Sequence, residues 1–167
     1  MGVARSWYGQ HDARLLPDGH ILMFDNFGNF ETTGHGRSRA LEIDPVTQRV
    51  VWSWSGDRAH PLDSEIRGAV EREPDGDTLI TDSDGGHIVE VTPQGEVAWE
   101  YYNPVRVDGP GNRPFAADSI SKTRDPVHAN HPRQYIPVVG YAQRIGSGTL
   151  DPDFRAQLKQ RLLAQNP

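Results

Sequence analysis

The chain has 167 residues, no cysteine and a net charge of −6 from 17 Lys+Arg and 23 Asp+Glu. That length accommodates one domain with its own core, the charge offers no basic footprint for nucleic acid or an anionic membrane surface, and 35% hydrophobic content with a mean hydropathy of −0.66 suits a turn-rich all-β chain. Without cysteine there are no disulfides, no thiolate nucleophile and no cysteine-held zinc, and no apolar run approaches the roughly 20 residues that span a bilayer.

Met1 to Tyr8 contain no apolar h-region, so this stretch does not read as a secretory signal and resembles a start inside a fold. Four short extended segments follow, His11 to Leu16, Ile21 to Asp25, Arg39 to Ile43 and Val50 to Trp54. They are separated by Pro17-Asp18-Gly19, by the glycine-bearing stretch Phe27 to Ser38, and by Asp44-Pro45-Val46-Thr47-Gln48. Proline fixes φ, glycine permits positive φ and Asp bonds the backbone, which is the chemistry of tight turns.

The scaffold then recurs. Ala69 to Glu73, Thr78 to Asp82, His87 to Val91 and Val97 to Tyr101 form a second set of four, and Pro74-Asp75-Gly76 follows Pro17-Asp18-Gly19 by 57 residues. The closing halves align too: Leu41-Glu42-Ile43-Asp44-Pro45 with Val89-Glu90-Val91-Thr92-Pro93, and Val51-Trp52-Ser53-Trp54 with Ala98-Trp99-Glu100-Tyr101. Four short strands per unit with tight turns predict two consecutive β-propeller blades, at about 8–57 and 66–104 within residues 1–104. The tryptophans of the outer strands read as blade packing. Two blades cannot close a ring, which takes at least four, so the expectation is an N-terminally truncated propeller or one completed by self-association.

What both copies share builds the scaffold, and what one copy holds alone is a candidate for chemistry. The turn register sets Gly68 opposite His11, so His11 belongs to one copy only. At the start of a blade's first strand it lies at one mouth of the central channel, where a nucleophile or general base is geometrically possible; the plainer alternative is a polar residue capping a strand. The stretch Phe27 to Ser38 is matched in the second copy only by Asp84-Gly85-Gly86, so it is either a site-shaping loop or a tolerated surface insertion.

Beyond Tyr102-Asn103-Pro104 the periodicity ends, and residues 105–167 read as an irregular tail in which Tyr135 to Ile145 supplies one strand. Asp151-Pro152 predicts a helix start, with Phe154, Leu158 and Leu162 on a face that packs on the fold. His128-Ala129-Asn130-His131 spaces two histidines for zinc but supplies no third ligand, and Asp82 to Gly86 lacks the distal glutamate of a calcium loop, Pro93 standing there instead.

The segment Gln10-His11-Asp12-Ala13-Arg14-Leu15-Leu16-Pro17-Asp18-Gly19 through Leu22-Met23-Phe24-Asp25-Asn26, with Ser38-Arg39-Ala40-Leu41-Glu42-Ile43-Asp44, resembles the arylsulfotransferase family, and Pro74 through Pro104 resembles that family's next blade. The resemblance implies a six-bladed propeller and a nucleotide-independent transfer of a sulfuryl group from a phenolic sulfate donor to a phenol acceptor. It implies no cofactor and no metal, in keeping with the lack of a P-loop or GxGxxG pattern, and an exported or periplasmic setting. By the same resemblance His11 is the nucleophile that becomes sulfohistidine. The family's other site elements lie N-terminal to this blade, which leaves Arg39 and Asn26 as the nearest candidates for helpers in the chain. The plainer reading has Arg39 paired with an Asp or Glu of its own blade and Asn26 in a turn. The alternative function is a propeller module that binds a ligand or partner without catalysis, or an inactive remnant.

Overall fold

Strands β1 (Gln10–Leu15), β2 (Ile21–Asp25), β3 (Arg39–Asp44) and β4 (Arg49–Trp54) form one antiparallel sheet in the order β1-β2-β3-β4. Strands β5 (Ala69–Arg72), β6 (Thr78–Asp82), β7 (His87–Val91) and β8 (Val97–Tyr102) form a second in the order β5-β6-β7-β8. The computed structural model describes residues 7–26, 38–57, 59–64, 67–103, 107–108, 134–135, 139–146 and 148–165. The insertion at 27–37 and the histidine pair His128 and His131 lie outside the described residues.

The turns are those the sequence chemistry dictates. Gly19 and Gly76 adopt φ of 91° and 99°, and their amides donate to Leu16 and Glu73 carbonyls at 2.9 and 3.0 Å. Both hairpins therefore close over a position where a side chain would be strained.

The middle strands read as near-continuous apolar runs because both of their faces are covered. Leu22, Phe24, Ala40 and Leu62 meet Val70, Ile80, Val89 and Val91 in the core between the two sheets. Met23, Leu41 and Ile43 face the other way, beside Trp7 and Ile21. Each fully buried Leu or Phe contributes about 1.5–3 kcal/mol by leaving water, so this inter-sheet seam is the main adhesive. Gly68, at φ 145°, lies under the Phe24 ring, which fills the space a Cβ would need.

Polar contacts fasten the seam at both rims. On the inner rim Asp12 Oδ2 accepts the Val70 amide at 2.9 Å, and on the outer rim the Trp52 and Trp54 indoles donate to the Pro93 and Gly95 carbonyls at 3.1 and 3.0 Å. Trp52 and Trp54 thus serve packing between the sheets, as expected of them, whereas Trp99, for which the same role was expected, stands half exposed.

The tail departs from expectation. In place of one strand from Tyr135 to Ile145, β9 (Val107–Asp108) pairs with β10 (Gln134–Tyr135). Residues 139–146 instead run along the second sheet, on the face turned away from the first: Val139 donates its amide to the Ser83 carbonyl at 3.1 Å and Ala142 to Thr81 Oγ1 at 3.2 Å. Helix α1 (Pro152–Gln165) starts where Asp151 caps it, Oδ1 accepting the Asp153 and Phe154 amides at 3.0 and 3.1 Å. Phe154 and Leu158 remain exposed, so the expected packing of that face is not found among the described residues.

Candidate functional site

One end of both sheets gathers the starts of β1, β3, β5 and β7 with the ends of β2, β4, β6 and β8, as antiparallel meanders require. His11, Asn26 and Arg39 all lie at this end of the first sheet, and the structure treats them differently.

His11 is exposed on the innermost strand, opposite Phe24. Among the described residues no side-chain hydrogen bond reaches its ring. The ladder slips between His11 and Arg14, and Asp12 within that bulge has φ 50°. A bulge inserts one residue and re-aims its neighbours. The second sheet has Ala69 opposite Thr81 where the first has His11 opposite Phe24, so the ladder partner of His11 in the repeat is Ala69, one place on from Gly68. The turn register alone cannot register that extra residue. The bulge is held because the Asp12 carboxylate accepts both the Val70 amide and Arg14 Nε, at 2.9 and 3.1 Å.

Arg39 is held against Asp25, Nε to Oδ2 at 3.0 Å, and Asp25 Oδ1 accepts the Tyr8 amide at 2.8 Å. Asp25 is wholly buried, so the guanidinium compensates its charge there. Asn26 is wholly buried as well. Its amide group donates to the Ser64 and Arg67 carbonyls at 2.6 and 2.7 Å, tying the first sheet to the crossover into the second. Ser38 reinforces that tie, its one hydroxyl proton lying within reach of the Asn26 and Ser64 carbonyls, at 3.0 and 2.9 Å, while its Oγ accepts the Ser64 amide at 2.9 Å.

In the second sheet the pair corresponding to Asp25 and Arg39 is Asp82 and His87, adjacent across β6 and β7 as Asp25 and Arg39 are across β2 and β3. Asp82 receives the Asp63 and Gly85 amides, each at 3.1 Å, but among the described residues no arginine, and burial pushes its carboxyl up to about 7. His87 is stacked on Tyr102, centroids 4.1 Å apart, with Nε2 3.2 Å from Glu100 Oε2; burial pushes it down to about 4 against the opposing pull of Glu100. His60 Nε2 lies 3.8 Å from the same Glu100 oxygen. Sequence reasoning singled out none of Asp12, His87 and Glu100, and met Asp82 only at the head of a loop that lacks the spacing of a calcium site. The signal for Asp82 and His87 was present, since an acid closes the second strand of each copy while the residue opening the third changes from Arg39 to His87.

At the opposite end two acidic groupings recur in repeat register, Asp18-His20-Glu42 and Asp75-Asp77-Glu90, with ligand atoms within 4.8 Å of one another. An arginine already engages the glutamate of each: Arg72 lies 2.7 Å from Glu42, and Arg144 pairs with Glu90. His20 is drawn up by its hydrogen bond from Nδ1 to Glu42.

Two four-stranded antiparallel meanders packed face to face, their first strands neighbouring on one rim, are consecutive propeller blades presenting a histidine on an innermost strand. The family model for Arylsulfotransferase (ASST) matches residues 1–104, and the chain belongs to that family. Three solved chains also match. One is a crystal structure of a protein of unknown function from Bacteroides caccae, 15% identical, covering 61% of this chain with a TM-score of 0.40. The chain spans about a third of that protein, 34% of its length. No curated protein matches.

Proposed function

We propose that the chain contributes two blades of a six-bladed arylsulfotransferase propeller in which His11 carries the sulfuryl group. An imidazole nitrogen lone pair attacks sulfur of a phenolic sulfate ester, the N–S bond forms, the S–O bond to the aryl oxygen breaks, and the phenolate departs to take a proton from solvent. A second phenol then attacks sulfur through oxygen, the N–S bond breaks, and that phenol's proton is lost as the imidazole is restored. No nucleotide, cofactor or metal enters either half-reaction.

The observation that carries this reading is the placement of His11: exposed, on the innermost strand, beside a bulge fixed by Asp12, within the span matched by the family. The helpers are a separate matter. Arg39 is engaged with buried Asp25, and Asn26 with two carbonyls of the crossover, so their support for His11 is to shape the end of the blade on which it stands. Donors that stabilise charge on the sulfuryl oxygens in the transition state come from the blades that complete the ring.

Incubation with 4-nitrophenyl sulfate and excess phenol tests it. Release of 4-nitrophenol that disappears in His11→Ala, together with a mass increase on a peptide containing His11 when acceptor is withheld, supports the assignment. Release that persists in His11→Ala overturns the assignment of His11, and no release from the chain in its completed ring overturns catalysis in favour of a binding module.

A further inference from the structure

Segment 139–149 repeats the opening of a blade. Gly140-Tyr141-Ala142-Gln143-Arg144 aligns with Gly68-Ala69-Val70-Glu71-Arg72, and Gly148-Thr149-Leu150 follows as Gly76, Thr78 and Leu79 follow in the second copy, with one residue fewer. The contacts correspond. Arg72, from the inner strand of the second sheet, lies on Glu42 in β3 of the first; Arg144 lies on Glu90, the residue that matches Glu42 in β7. Both segments also send one amide back to the preceding sheet, Val70 to Asp12 on its innermost strand and Ala142 to Thr81 on its second strand. Gly68 sits under Phe24, whereas Gly140 has open space because the residue matching Phe24 is the smaller Thr81.

The three inner segments also meet side by side. Tyr141 OH donates to Glu71 Oε2 at 2.9 Å and accepts from the Arg14 guanidinium at 3.0 Å, while Arg14 lies 3.9 Å from Glu71. One side chain from the first sheet, one from the second and one from the tail thus form a single chain of contacts along the inner rim.

We propose that residues 139–146, with the turn at 148–149, open a third blade as its innermost strand and first turn, and that the outer edge of this strand is a docking surface for the three outer strands of that blade. Helix α1 begins at Pro152, so the segment after Leu150 does not supply them, and among the described residues no strand pairs with 140–144. The occupant is a three-stranded antiparallel meander of the same repeat type, opening with a strand like Ile21–Asp25 or Thr78–Asp82. A second copy of this chain does not fit: its first blade would set Leu15 where Arg72 and Arg144 stand, leaving Glu90 without its cation, and the inner-strand place is already taken. Trp99 and Tyr101 support the assignment. They correspond to Trp52 and Trp54, which the next blade covers, yet they are about half exposed, at 49% and 42%.

Since the Ala142 amide points back to the second sheet, strand alternation turns the Tyr141 and Gln143 amides to the open edge. The probe is a synthetic peptide of residues 76–92, which carries β6 and β7 and therefore the strand that pairs with this motif in the second blade. On the full chain, followed by residue-resolved hydrogen exchange, it slows exchange at Tyr141 and Gln143 by about tenfold or more and leaves Ala142 unchanged. A scrambled peptide has no effect, and Gln143→Pro, which removes one edge donor, abolishes the protection. Equal protection by the scrambled peptide, no protection at millimolar peptide, or undiminished binding by Gln143→Pro overturns the proposal. So does protection of Tyr141 and Gln143 that rises with protein concentration in the absence of peptide, which makes a second copy the occupant.

Discussion

Asp12 accepts the Val70 amide at 2.9 Å, joining the innermost strand of one sheet to the innermost strand of the next, while its own backbone holds φ 50°. One carboxylate thereby fixes the gap between the blades and the bulge beside His11. Asp12→Ala removes the acceptor from a partly buried amide and puts a β-carbon without local compensation into a left-handed conformation, so it lowers stability by about 1–3 kcal/mol. Asp12→Asn keeps an acceptor oxygen and tolerates the conformation, and should recover most of that loss in urea denaturation.

Gly68→Ala is expected to be among the most damaging single substitutions in the seam. Its φ of 145° strains any side chain, and the new methyl meets the Phe24 ring. A loss of about 2–4 kcal/mol follows. Adding Phe24→Ala relieves the clash but not the strain, so the double variant should be less unstable than the sum of the singles. Strict additivity in thermal melts would show that the ring and the glycine are not in contact.

The pair Asp25 and Arg39 should behave as a buried ion pair whose separation is worse than its removal. Arg39→Met leaves a wholly buried carboxylate without the guanidinium, with an expected loss of about 3–5 kcal/mol. In Arg39→Met with Asp25→Asn there is no buried charge, and the Asn oxygen can still accept the Tyr8 amide. Chemical denaturation of the two variants should place the double above the single.

Asp82 and His87 impose opposite pH dependences on stability. Burial raises Asp82 to about 7 from an unfolded value near 3.9, so the native state holds the extra proton and stability falls as pH rises between those values. Burial lowers His87 to about 4 from an unfolded value near 6.5, so the unfolded chain takes up the proton and stability rises with pH across that window. Each slope has a ceiling of about 1.4 kcal/mol per pH unit, and together they largely cancel. Asp82→Asn should unmask the rising slope and His87→Asn the falling one. Identical slopes in both variants, measured by urea titration from about pH 4 to 7, would contradict this assignment of the two groups.

The strands were legible because each carries its own local signal. Ile21–Asp25, Thr78–Asp82 and His87–Val91 match their expected limits, since apolar runs that open after Pro-Asp-Gly or Asp-Gly-Gly leave the backbone little choice. The bulge at Asp12 was not legible: its compensation is the Val70 amide, far along the chain. The match between Gly140-Tyr141-Ala142-Gln143-Arg144 and the second blade was weakly visible but short, and only Arg144 on Glu90 gives it meaning. Around His11 the sequence identified the residue by resemblance, but the engagement of Arg39 with Asp25 and of Asn26 with the crossover depends on distances that spacing does not encode.

The outer rim also carries an optical consequence. Trp52 and Trp54 reach across the seam to carbonyls of the neighbouring sheet, while Trp99 stands half in water. Parting the blades breaks the first two indole hydrogen bonds and wets those rings without touching the third, whereas covering the open edge of the tail changes only the third. Emission from single-tryptophan variants would therefore distinguish opening of the seam from capture of the missing strands.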